Sequence, residues 1–217
     1  MDAIAITAIT NFMLACEVFF LAGWLARGPS SGALQRGSAA FWWALGLTLL
    51  GLSALLGGID HGFVQARGLD RYLITHLNWM VLGGMTACVL LAAAQQFFTG
   101  RTRRVLVAVA LLQWAAYSSV LWQTDRFVVV IVNYLPVMLL WLGLNVLHLR
   151  QGSPGASPAM VAGVVLLLAA SAGQALKVRW PGAELLDHNG LYHLIVMVAV
   201  VPMALGGRGL RASCGPV

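Results

Sequence analysis

Four of the five histidines in this sequence lie at ends of long apolar stretches that fall on the same side when the stretches are threaded back and forth. His61 ends the second stretch, His76 opens the third, and His188 and His193 flank the start of the seventh. Neutral imidazoles are common zinc ligands, and a catalytic zinc ion takes three protein ligands and a water molecule. We therefore expect a zinc site that contains His61 and His193, with either His188 or His76 as the third ligand.

A carboxylate and a hydroxyl accompany the histidine of the second stretch. Asp60 directly precedes His61, so it is placed to orient that histidine or to act as the general base toward metal-bound water. Ser53 shares the same broad helix face and lies about 12 Å deeper at ~1.5 Å per residue. These residue types predict hydrolytic chemistry, with Asp60 and Ser53 as the catalytic candidates.

Two further polar residues are predicted to support the site. Glu17 lies near the middle of the first stretch, where an ionisable side chain is costly and indicates a functional or paired group. We expect Glu17 to be structural or proton-linked and to pair near Ser53. Asn189 lies four residues before His193, on the same face of a helix.

The elements that carry these residues are predicted to be membrane-spanning helices. Of the 217 residues, 60% are hydrophobic and only 9% are charged, whereas about 25% of an average soluble chain is charged. Seven apolar stretches approach the ~20 residues that cross a hydrocarbon core. They cover residues 4–26, 39–63, 72–98, 105–122, 127–149, 158–176 and 190–206. We predict a single all-α domain, a bundle of seven transmembrane helices.

The basic residues predict the orientation of this bundle. Threading seven spans places eight of the 13 lysines and arginines on one side, which the positive-inside rule makes cytoplasmic. These eight are Arg27, Arg36, Arg101, Arg103, Arg104, Arg150, Arg208 and Arg211. We expect the N-terminus outside, the C-terminus in the cytoplasm, and no nucleic-acid partner. The location that this favours is a bacterial inner membrane, with the histidines near its outer, periplasmic side.

The whole pattern resembles the CREST superfamily of seven-transmembrane proteins, which includes the alkaline ceramidases and the progestin and adipoQ receptors. The resemblance rests on Glu17 in span one, on Ser53 with Asp60-His61 in span two, and on the histidines that open span seven. It implies a zinc-dependent hydrolase of an amide or ester bond in a lipid such as ceramide, which enters from the bilayer. By this pattern His61 and His193 are metal ligands.

Two other functions are consistent with the same residues. A cytochrome that binds haem b needs two axial histidines, which His61 could supply together with His76 or His193. A non-catalytic receptor, chaperone or subunit of a membrane complex is favoured by Asn189, which stands where the family has its first span-seven ligand. Such a subunit would have a membrane-protein partner.

Overall fold

The structure is a computed structural model that describes residues 2–27, 34–153, 155–182 and 186–210. This part of the chain forms seven long α-helices, each of them long and apolar enough to cross a membrane. They are α1 (Ala3–Ala26), α2 (Ala39–Ile59), α3 (Tyr72–Phe97), α4 (Gly100–Leu121), α5 (Val128–Arg150), α6 (Pro158–Ala175) and α7 (His188–Gly207). The predicted all-α, seven-span architecture is confirmed.

The helix bounds follow the apolar stretches closely, with two informative differences. The fourth helix begins at Gly100 rather than at residue 105, and so takes in the basic run 101–104. Arginine is a good helix former, so the basic run can form the first turn of α4. The second helix is prolonged by a π-helical turn (Asp60–Val64) and a 3-10 turn (Gln65–Arg67).

The helices are not equally buried. α1 packs against both α2 and α7, α3 packs against α2, α4 and α5, and α6 packs against α7. Of the seven spans α3 is the most buried and α4 the least. The functional candidates on α1, α2, α3 and α7 therefore lie on the better-packed helices.

Glycines let α1 approach α2 closely. A Cβ atom on Gly57 would lie 2.9 Å from Oδ1 of Asn11, and one on Gly58 would lie 2.8 Å from the Phe12 ring. Such contacts are tighter than carbon atoms tolerate, so a side chain at either position would displace Asn11 or Phe12. The space that the glycines leave beside His61 is filled by α1.

One end of the bundle collects most of the polar candidates. The Thr7 hydroxyl, near the start of α1, donates to the carboxylate of Asp187, directly before α7, over 2.8 Å. The turns that follow α2 lie at the same end, because a Cβ atom on Gly62 would be 3.3 Å from Ala8, near the start of α1. We call this end the N-terminal face, because α1 begins there.

Candidate functional site

Asp187 organises the start of α7. It is the N-cap residue, and its Oδ1 accepts from the backbone N–H of Gly190 over 2.8 Å and from the Thr7 hydroxyl. Burial by itself would raise the pKa of Asp187, but these two hydrogen bonds, the neighbouring His188 and the Asn189 amide together lower it. Asp187 therefore fixes both the first turn of α7 and its position against α1.

Asn189 belongs to this capping network. Its Nδ2 donates to Oδ2 of Asp187 over 3.4 Å, and its Oδ1 accepts from Nε2 of Gln174 over 3.1 Å. The contacts join α7 to the end of α6. The contacts place Asn189, predicted to be structural or proton-linked, between α6 and the cap of α7.

His193 is buried one turn further along α7, with 7% of its surface exposed. Its Nδ1 lies 3.0 Å from the hydroxyl of Thr10, and that hydroxyl donates its own hydrogen to the backbone carbonyl of Thr7. The hydroxyl oxygen must then accept from Nδ1–H, which assigns the proton to Nδ1 and leaves the lone pair on Nε2. Thr10 thus fixes both the ring and its tautomer.

His61 has a similar arrangement in the turn that packs against α1. It lies in the π-helical turn after α2, half-buried, and its Nδ1 is 2.5 Å from Oε1 of Gln65. Because an amide oxygen only accepts, Nδ1 carries the proton here as well. His61 and His193 are close enough to interact electrostatically. We call His61, His193 and Thr10 the histidine site.

Asp60 does not face either histidine of this site. Both of its oxygens accept from the guanidinium of Arg71, at 2.8 Å from Nε and 2.6 Å from Nη2. Asp60 is 5% exposed, and the hydrogen bond from Arg71 raises the pKa of that arginine further than burial lowers it. The carboxylate that we expected to orient His61, or to activate a water molecule, joins the end of α2 to the start of α3.

His76 lies apart from His61 in a separate aromatic setting. Its Nδ1 is 2.7 Å from the carbonyl oxygen of Tyr72 and its Nε2 is 3.3 Å from that of Thr124, with Asp125 at 3.6 Å. Its ring stacks on Trp122 with the centroids 5.2 Å apart. Nδ1 faces a carbonyl of its own helix and Nε2 faces the α4–α5 loop, so both ring nitrogens are turned toward protein atoms.

His188 is the first residue of α7, so it is helical rather than part of the preceding loop. Its Nδ1 is buried and has no hydrogen-bond partner within the described residues. Over the same part of the chain, no group of three His, Cys, Asp or Glu side chains is arranged to hold a metal ion. The three-ligand zinc site is therefore not formed in this arrangement.

Ser53 and Glu17 do not meet. The Ser53 hydroxyl donates to Oδ1 of Asn78 on α3 over 2.5 Å. The Glu17 side chain instead lines a groove together with Met197 and Pro202 of α7. The predicted hydrogen bond between Glu17 and Ser53 is wrong, because the two side chains leave α1 and α2 toward different neighbours.

Several residues of the site carry no formal charge and were missed from the sequence. Thr7 and Thr10 lie three residues apart in the first span, as expected for one helix face, and Gln65 follows His61 by one turn. A search for uncharged polar residues at helical spacing would have found them. The missed Arg71 is one of several basic residues in the loops, and nothing in its spacing marks Asp60 as its partner.

No curated protein and no solved structure matches this chain. One family model, described as a family of unknown function (DUF6962), matches residues 6–212. The match covers nearly the whole chain, including the N-terminal face and all seven helices. The chain therefore belongs to this family of unknown function, DUF6962.

Proposed function

We propose that the chain is an integral membrane protein that binds the polar head of a lipid between His61 and His193. The observation that carries this proposal is the orientation of the two imidazoles. Each Nδ1–H is held by a protein acceptor, so each Nε2 lone pair is left to accept from a ligand. A lipid head with hydroxyl or amide N–H groups supplies the matching donors, while its chains remain among apolar helices.

Photoactivatable ceramide in lipid nanodiscs tests this binding, because its head carries both hydroxyl and amide donors. We expect His193→Phe and His61→Phe to reduce labelling of the peptides around Thr10 by about tenfold, which corresponds to the loss of one or two hydrogen bonds. His148→Phe is the matched control, since this ring packs on Phe97, away from the histidine site. Unchanged labelling of the His193→Phe protein would show that the proposal is wrong.

A second candidate function is hydrolysis of an amide or ester bond in that lipid, as the CREST resemblance implies. The specific observation in its favour is the buried Nδ1 of His188, a third imidazole nitrogen near the N-terminal face without a partner in the described structure. The described side chains do not fit a three-ligand zinc centre as they stand. Zinc binding therefore requires His188 to turn toward His61 and His193.

Metal analysis and an absorption spectrum of the purified protein separate these candidates. For the hydrolase we expect about one zinc ion per chain, loss of that ion in His61→Ala, and release of fatty acid from ceramide. A Soret band would instead support the haem b alternative. Protein that binds ceramide but has neither zinc nor haem, and that releases no fatty acid, supports the non-catalytic receptor or subunit. The engagement of Asp60 by Arg71 favours that last outcome.

A further inference from the structure

A groove on the outside of the bundle, which begins one turn beyond His193 along α7, contains Glu17, a carboxyl group placed deep within a span. It lies where α1, α6 and α7 meet and has a volume of about 470 Å³. Its lining residues are Glu17, Leu166, Met197, Val198, Val201 and Pro202. The volume lies within the ~300–1,000 Å³ of small-molecule sites. Apart from Glu17, the side chains of this groove are apolar.

Pro202, which lines the same groove, leaves a backbone acceptor of α7 without its usual helical donor. Proline has no backbone N–H, so the carbonyl of Val198, four residues earlier in α7, lacks its helical donor. That carbonyl points along the helix toward Pro202, and both residues line the groove. Backbone polar groups within a membrane require partners, because lipid chains supply none.

Glu17 also lacks a partner. Within the described ranges its carboxyl group makes no hydrogen bond or ion pair to another side chain, and it is half-buried. A carboxylate in a hydrocarbon setting is costly unless a cation accompanies it. The groove thus combines two groups that accept hydrogen bonds with an apolar lining, and no other side chain that lines it carries a donor.

We propose that this groove binds an amphiphilic amine, meaning a primary amine on a single hydrocarbon chain, taken up from the bilayer. The uncharged amine enters from lipid, and its nitrogen lone pair accepts the proton of the Glu17 carboxyl group. This transfer yields an ammonium–carboxylate pair without changing the total charge in the membrane. One ammonium N–H then donates to Glu17 and a second to the carbonyl of Val198, while the chain lies along Leu166 and Val201.

Binding of radiolabelled dodecylamine to the protein in lipid nanodiscs tests the proposal, with empty nanodiscs as the measure of partition into lipid. We expect saturable binding that unlabelled dodecylamine displaces and that dodecanol, the uncharged analogue of equal chain length, does not. Glu17→Gln keeps the size of the side chain but cannot donate the proton, so affinity should fall about ten- to a hundredfold. Pro202→Ala restores a backbone donor to Val198 and should weaken binding about three- to tenfold. Equal displacement by dodecanol, or unchanged binding by Glu17→Gln, overturns the proposal.

Dicyclohexylcarbodiimide provides an independent measurement on the unaltered chain. This apolar reagent adds the O–H of a protonated carboxyl group across one of its C=N bonds, and rearrangement then gives a stable N-acylurea. We expect the peptide that contains Glu17 to be labelled in nanodiscs without amine. Absence of labelling would mean that the Glu17 carboxyl group is charged or closed to the bilayer, and the proposal would then be wrong. This result does not depend on whether the Glu17 and Pro202 variants fold.

Discussion

Thr10 on α1 and His193 on α7 are joined by a hydrogen bond of 3.0 Å between the threonine Oγ1 and the imidazole Nδ1. Because the Thr10 hydroxyl gives its hydrogen to the carbonyl of Thr7, it can only accept from the ring. The first helix therefore determines which nitrogen of a buried histidine on the seventh helix carries the proton. The Nε2 lone pair that we assign to ligand binding depends on this contact.

Replacing Thr10 by valine keeps the shape of the side chain and removes the acceptor. We expect the His193 proton to move to Nε2, or the Nδ1–H to remain unpaired at a cost of about 1–3 kcal/mol in the free energy of unfolding. Thr10→Ser retains the hydroxyl and is the control. Nitrogen-15 NMR of labelled histidine distinguishes the tautomers, and an unchanged tautomer together with an unchanged free energy of unfolding in Thr10→Val would contradict the assignment.

The ion pair between Asp60 and Arg71 makes a prediction about stability. Arg71→Met keeps the apolar stem but leaves both oxygens of buried Asp60 without their donor. A fully buried pair that loses one partner costs about 3–5 kcal/mol. The Arg71 side chain is 38% exposed, so water screens the pair, and we expect roughly 1–3 kcal/mol.

Arg67→Met is the matched control for this change. Arg67 lies in the same connection, and its one contact among the described residues is a cation–π contact, 5.8 Å from the centre of the Phe63 ring, so its loss should cost less than about 1 kcal/mol. Denaturant unfolding in mild detergent measures both variants. Similar losses for the two arginines would show that the Asp60 pair contributes little to the fold.

The fold could be predicted from the sequence because the length of an apolar run fixes whether a helix crosses a membrane. The gathering of histidines toward one end followed from the same spans. The hydrogen-bond partners of these histidines could not be predicted, because the rotation of each helix about its axis decides which neighbour a side chain contacts. Glu17 was expected to pair near Ser53. In the structure the Ser53 side chain extends from α2 toward α3, and the Glu17 side chain extends from α1 toward α7.

Charge alone was also too narrow a guide to the site. The contacts that fix His193 and His61 come from Thr10 and Gln65. Uncharged polar side chains cost less to place in a membrane than charged ones, so their presence in a span does not by itself indicate a site. Asp60, by contrast, was singled out by its charge, and its partner was not predicted. Its position beside His61 predicted a catalytic role, but a carboxylate pairs with the strongest donor within reach, and that donor is Arg71.

Asp187 should make the stability of the protein depend on pH at the acidic end. Its pKa in the folded protein lies below the usual 3.8, so it stabilises the fold above that value, and this contribution is lost as the pH falls through the folded pKa. Asp187→Asn keeps a helix cap but cannot titrate. We expect the difference in melting temperature between the two proteins to be constant above about pH 5 and to shrink below about pH 4. A difference that does not vary with pH would show that Asp187 is not stabilised as a carboxylate.

The orientation of the N-terminal face in the membrane is the last prediction, and it rests on the distribution of basic residues. Arginine and lysine near the ends of spans are retained on the cytoplasmic side during insertion. The run 101–104 at the start of α4 contributes three arginines to the face opposite the histidine site. That opposite face should therefore be cytoplasmic, and the histidine site should lie toward the outside.

Single cysteines at two exposed positions test this orientation in a protein without its native cysteines. Thr102→Cys near the start of α4 and Arg179→Cys in the connection between α6 and α7 lie at opposite ends of the bundle. In intact cells a membrane-impermeant maleimide should label position 179 and should reach position 102 only after the membrane is opened. Labelling of position 102 in intact cells, with protection of position 179, would reverse the orientation. Ligands of the histidine site would then come from the cytoplasmic leaflet.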